Sequence, residues 1–226
     1  MLNITLTPIE KYEWNEISPY ISLALKKVDD YSNQRHIGIL HKRINEDPFL
    51  LHLEWHHINK NEALNEIISD NYHIYVPSYL DTEKSRTIAG LCRRIAKRKH
   101  KIPYGIIFDG TNFSKDGILH LGKKSHGLTC ATFVLAIFLS NGMELLLEDQ
   151  WPSREEDIVW HSQIIKNLED TKEFCGITDE HINNIRDEKG CTRFKPEEVA
   201  GSLSSKKLPV SFNYAEKAGN LIVQQL

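Results

Sequence analysis

The stretch GLTCATFVLAIFLSNG, residues 127–142, constrains this chain more than any other. Thr129 offers a side-chain oxygen to cap a helix, the residues after it are apolar on every side, and Asn141-Gly142 supplies a stop. A helix without a polar face has to be enclosed by other elements, so the chain must build layers around it. With 226 residues, 40% hydrophobic and 26% charged, it suits one globular domain over residues 1–226 with a sizeable core.

Strand-like and helix-like patterns surround that segment. RHIGILHKR and PFLLHLEWHH are apolar-rich runs separated by the turn formers Asn45-Glu46-Asp47-Pro48, which predicts a β-hairpin. NYHIYVPSY (71–79) predicts another strand and GILHLG a small one. Ile88, Leu91, Cys92 and Ile95 recur at helical spacing, giving a helix from Asp81 to Lys99. Ile17, Ile21, Leu23 and Leu25 form a loosely amphipathic pattern, and Pro19 tolerates a helix start, so 19–28 is read as a helix. Residues 148–190 read as a charged, mainly helical insertion, with Ser153 as a cap and with Trp151 and Trp160 either packing on the domain or shaping access to a site. Pro196 starts a short helix, while LPVSFNY and NLIVQQL close the chain as strands. The fold class is α+β.

Several classes of function are disfavoured. A net charge of -3 gives no global field toward nucleic acid or an anionic membrane. No segment approaches the roughly 18 apolar residues of a membrane span, and MLNITLTPIEKYEWNEI lacks the basic start and apolar run of a secretory signal, so a cytoplasmic protein is expected. Cys92, Cys130, Cys175 and Cys191 have no CxxC spacing, which points to a reducing compartment rather than a disulfide framework or zinc site.

A thiol attacks a carbonyl as the thiolate. A catalytic cysteine therefore benefits from a helix N-terminus, whose N–H groups favour the anion, and from an imidazole to hold the proton. Cys130 stands one residue after the expected cap, where the same amides could also serve a developing oxyanion. The competing reading is a buried small residue, as for Cys92 on the apolar stripe of its helix. Upstream, His36 opens RHIGIL, and in FLLHLEW the residues His52 and Glu54 alternate with Leu51, Leu53 and Trp55, giving one polar strand face. His52, Glu54 and His56 could be read as metal ligands, but the spacing is not that of helical HExxH and no metal is expected. His56 and His57 are read as surface or loop residues, and Tyr104 is given no catalytic role. The basic run from Arg93 to Lys101 could touch phosphate or an acidic partner, yet its charges lie opposite Ile88, Leu91 and Ile95, so a solvated helix face is the reading and nucleic acid is not an expected partner.

His36 in HIGIL, a polar residue in the next strand (LLHLEW), and a cysteine opening an apolar helix (TCATFV) together resemble the circularly permuted papain-like superfamily. That superfamily includes the lecithin:retinol acyltransferase-like proteins and bacterial NlpC-type amidases. The resemblance covers residues 35–56 and 127–139, with weaker support over 82–105. It implies a small antiparallel sheet packed against a buried helix headed by the cysteine. Cys130 would be the acyl-accepting nucleophile, His36 the general base, and His52 the residue that orients it, with Glu54 as the alternative third member. The implied activity is a cofactor-independent thiol hydrolase or acyltransferase acting on a peptide, amide or acyl ester, with room for a protein partner. Thr129-Cys130-Ala131-Thr132 stands where the acyltransferase group has Asn-Cys-Glu-His, which favours hydrolysis over lipid acyl transfer. A binding or scaffold module that keeps the core without the chemistry is the alternative.

Overall fold

The structure, a computed structural model, describes residues 4–14, 19–29 and 33–226. Strands β1 (Leu6–Pro8), β2 (Ile21–Lys27), β3 (Arg35–His41), β4 (Phe49–Trp55), β5 (Ile58–Ala63) and β6 (His73–Tyr75) form one antiparallel sheet in the order β1-β6-β2-β3-β4-β5. The predicted hairpin is β3 and β4, in which Ile39 lies opposite Leu51 and Leu40 opposite Leu50. The chain then reverses at His56 and His57, so that β5 sets Lys60 opposite His52 and Glu62 opposite Leu50.

Side chains alternate across a strand, so the sheet has two buried faces. On one, Ala24, Leu40, Leu50 and Ile74 pack with Ile9, Tyr72 and Ile67 of the single-turn helix α1 (Leu64–Ile67). On the other, Leu23, Leu25, Ile37, Ile39, Leu51 and Leu53 meet α2 (Thr82–Arg98) and α3 (Cys130–Leu139) in the main core. The α3 helix is the apolar segment foreseen in the sequence, buried from Ala131 to Phe138 and lying against β3, β4 and α2. Burying side chains such as Phe133 and Phe138 contributes roughly 1.5–3 kcal/mol each. Its start is fixed by a reciprocal cap: Thr129 Oγ1 accepts from the Thr132 N–H at 3.1 Å, and Thr132 Oγ1 accepts from the Thr129 N–H at 2.7 Å. Between α2 and α3 the small strands β7 (Asn112–Phe113) and β8 (Leu119–His120) pair with each other.

The charged segment after α3 is helical as expected, forming α4 (Glu155–Asp170), α5 (Lys172–Cys175) and α6 (Asp179–Asp187). Ser153 does not cap it. Arg154 occupies that position, with its guanidinium on Asp157 and Glu198. The chain ends in α7 (Pro196–Ser202) and α8 (Phe212–Val223).

Two expectations fail. Residues 21–27 are a central strand and not a helix, with Ile21 to Leu25 all buried between β3 and β6; Ile17 lies outside the described residues. Ile21, Leu23 and Leu25 recur at period two, and both faces of the strand are covered, so burial overrode a weak helical pattern. LPVSFNY and NLIVQQL are not strands either. Val210 makes an isolated bridge to Leu146, and Ala215, Ala218, Gly219 and Ile222 form the buried stripe of α8. Among the described residues no helix is long and apolar enough to cross a membrane.

Candidate active site

Three neighbouring strands carry a diagonal row of polar side chains on one face of the sheet. His36 Nε2 on β3 lies 2.7 Å from His52 Nδ1 on β4, and His52 Nε2 lies 2.6 Å from Glu62 Oε2 on β5. Gly38 makes the row possible, because it sits beside His52 and a Cβ there would lie 2.7 Å from His52 Cβ and 2.8 Å from Leu50 Cδ1. Tyr72 packs edge-on against both imidazoles, with ring centroids 6.4 Å from His36 and 6.5 Å from His52, and shields them from water. Lys60 Nζ holds the outer end, 2.7 Å from Glu54 and 3.6 Å from Glu62.

The carboxylate sets the tautomers. A carboxylate only accepts, so His52 Nε2 carries the proton and His52 Nδ1 is bare. His36 must then donate from Nε2, which leaves its Nδ1 as the basic nitrogen. His36 and Cys130 line one pocket of about 200 Å³. The pairing of β3 with β4 stops at Ile39, and the Ile37 N–H beyond it points at the Cys130 sulfur together with the Ala131 N–H.

The segment leading into Cys130 is held from the other side by residues 103–105, which follow α2. The Leu128 N–H donates to the Pro103 carbonyl at 2.9 Å, and a Cβ on Gly105 would lie 2.3 Å from the Gly127 nitrogen, so the two chain segments touch only because both residues are glycine. Between them Tyr104 is gripped on its backbone: its N–H donates to His56 Nδ1 at 3.2 Å, and its carbonyl accepts from His181 Nε2 at 2.8 Å. His56 sits in the β4–β5 turn, the loop position expected, but it is buried and structural and not on the surface. Trp55, Tyr104, Trp160 of α4, Ile164 of α4 and Phe194 wall the pocket, so the charged helical segment does shape access to it.

Burial dominates the electrostatics. It holds His36 well below the ordinary imidazole value, with His52, Lys26 and Lys60 adding in the same direction. It also lowers His52, against the opposing pull of Glu62. Enclosure pushes the Cys130 thiol up to about 11, although the N–H groups of Ile37 and Ala131 and the charge of Arg193 pull it back. The resting pair is thus neutral thiol and neutral imidazole, whereas the helix N-terminus alone led us to expect a stabilised thiolate.

The structure brings His36 and His52 together; His36 lines the Cys130 pocket, and His52 stands one hydrogen bond behind it. Glu54 lines the pocket too, but it is half exposed, and its carboxylate goes to Lys60 rather than to an imidazole. Sequence reasoning missed Glu62, Lys60 and the Ile37 amide. Recognising the reversal at His56-His57 would have set Glu62 diagonal to His52. Among the described residues no group of three or more His, Cys, Asp or Glu side chains is placed to hold a metal. No family model matches the chain, and neither a curated protein nor a solved structure does.

Proposed function

We propose that the protein is a thiol hydrolase of the circularly permuted papain-like kind, with Cys130 as nucleophile, His36 as general base, His52 as the residue orienting it and Glu62 as the group anchoring His52. The observation that carries this reading is the His36–His52–Glu62 row, because its acceptor end fixes the tautomer that leaves His36 Nδ1 unprotonated, and His36 lines the same pocket as Cys130. In the cycle, Nδ1 takes the thiol proton as sulfur attacks a carbonyl carbon. The oxyanion is met by the first amides of α3, which have no intrahelical acceptor. The intermediate collapses by breaking the C–N or C–O bond, the leaving group takes the proton from His36, and a thioester remains. Water, deprotonated by the same nitrogen, releases the acid.

A volume of about 200 Å³ walled by aromatic side chains suits a small apolar acyl group on an amide or ester. Four free cysteines fit a cytoplasmic, reducing setting. The second reading, a non-catalytic module of the same architecture, is favoured by the raised thiol. A screen of amides and esters separates the two: wild type turns one over while Cys130→Ala keeps the fold and shows none. Measurable turnover by Cys130→Ala would sink the proposal.

A further inference from the structure

On the α2 side of the sheet, away from the imidazole row, a groove of about 650 Å³ lies between the β3–β4 loop, the β4–β5 hairpin and the last turns of α2. Its charge is one-sided, with Lys42, Arg43, Arg93, Lys97 and Lys99 set against only Glu46 and Asp47. Arg43 reaches Glu46 at 3.3 Å and Lys60 is taken by Glu54, while Lys97 and Lys99 have no ion-pair partner among the described residues. The cations crowd one another: after burial, Arg43 is the largest influence holding Arg93 below its ordinary value. The solvated helix face expected for this basic run is therefore one wall of a concavity.

Two further features describe what would fill it. Asn59, on the groove wall, has a buried side-chain oxygen without a hydrogen-bond partner. An unmet buried acceptor costs about 1–3 kcal/mol, which a ligand hydroxyl or amine reaching it would offset. Phe49, 37% exposed and stacked on His41 at 6.3 Å, offers a flat apolar surface to a ring. The volume lies within the roughly 300–1,000 Å³ of small-molecule sites, and a concave wall does not suit a flat lipid surface.

We propose that this groove binds a small phosphorylated ligand of nucleoside-polyphosphate chemistry, its phosphates on Arg93, Lys97 and Lys99 and its ring and hydroxyl groups on Phe49 and Asn59. This site stands apart from the proposed thiol chemistry and does not depend on it.

The test is calorimetric titration of the full chain with ADP at physiological salt, comparing wild type with the double variant Lys97→Gln/Lys99→Asn. Both positions are exposed, and asparagine tolerates the left-handed backbone of Lys99, whose φ is 50°. Saturable binding at micromolar to submillimolar ADP, weakened about tenfold or more in the double variant while its melting curve is unchanged, is the expected result. Absence of binding at millimolar ADP, or equal affinity in the variant, would overturn the proposal. So would a short oligonucleotide that binds more tightly than ADP and loses affinity in the same variant, which would assign the groove to nucleic acid.

Discussion

Replacing Glu62 by glutamine leaves the shape of the row intact and reverses its proton logic. A carboxamide presents one acceptor and one donor, and Lys60, 3.6 Å from Glu62 Oε1, decides which way it turns. With its oxygen toward the ammonium, the amide donates to His52 Nε2. His52 then carries its proton on Nδ1 and donates to His36 Nε2, and the His36 proton moves to Nδ1, the nitrogen that has to accept from the thiol. Restoring the working tautomer means breaking one or two buried hydrogen bonds at about 1–3 kcal/mol each, so Glu62→Gln should acylate roughly 10²–10³-fold more slowly. The corresponding carboxylate-to-amide change in a serine triad costs about 10⁴. Glu62→Ala leaves His52 Nε2 facing a side-chain site that is 27% exposed, where water accepts or donates, so both tautomers stay open and alanine should be the milder change. Glu54→Gln should stay within about threefold of wild type, since Glu54 serves Lys60 and not an imidazole. The assay is the rate of acyl transfer from an activated ester to Cys130, read by intact mass. Wild-type rates in Glu62→Gln, or alanine slower than glutamine, would refute the tautomer argument.

The remaining predictions concern the thiol, the strand contact and acid stability. Alkylation of Cys130 by iodoacetamide should keep rising with pH toward about 11, and a plateau reached by pH 8 would contradict the enclosed neutral thiol. Gly38→Ala should cost roughly 1–3 kcal/mol in urea unfolding and slow acylation as well, because the new Cβ meets His52 Cβ and the Leu51 carbonyl, neither of which can swing away. Burial holds His41 at about 4, so as pH falls below its unfolded value near 6.5 the unfolded chain takes a proton that the folded chain refuses. Stability should therefore be full at pH 7 and lower by about 2 kcal/mol at pH 5 from this group alone, and equal urea midpoints at the two values would contradict it.

The parts of the fold legible in the sequence were those where one signal is unopposed. The α3 segment has a cap, a stop and no polar face, and the β3–β4 pair has turn formers between two apolar runs, so each could be read locally. Residues 21–27 failed because a strand buried on both faces presents nearly continuous apolar residues, which do not distinguish period two from a helix. The C-terminal helix failed because Val210 and Ile222 look strand-forming out of context, while the small residues Ala218 and Gly219 that let α8 lie against α7 carry their meaning only in the packing. At the candidate site, His36, His52 and Cys130 stood out by residue type and order. Glu62 did not, since its role comes from the register of β5 on β4, a nonlocal fact.

The most direct measurement is labelling by a thiol-directed acyl probe, with the modified residue located by mass spectrometry in wild type, Cys130→Ala and His36→Ala. Labelling confined to Cys130 and slowed at least a hundredfold when His36 is removed is the predicted result, within the usual span for a positioned base of about 10²–10⁴. Labelling at Cys130 that is unchanged without His36 would contradict the account and leave the row of imidazoles a structural feature of the sheet.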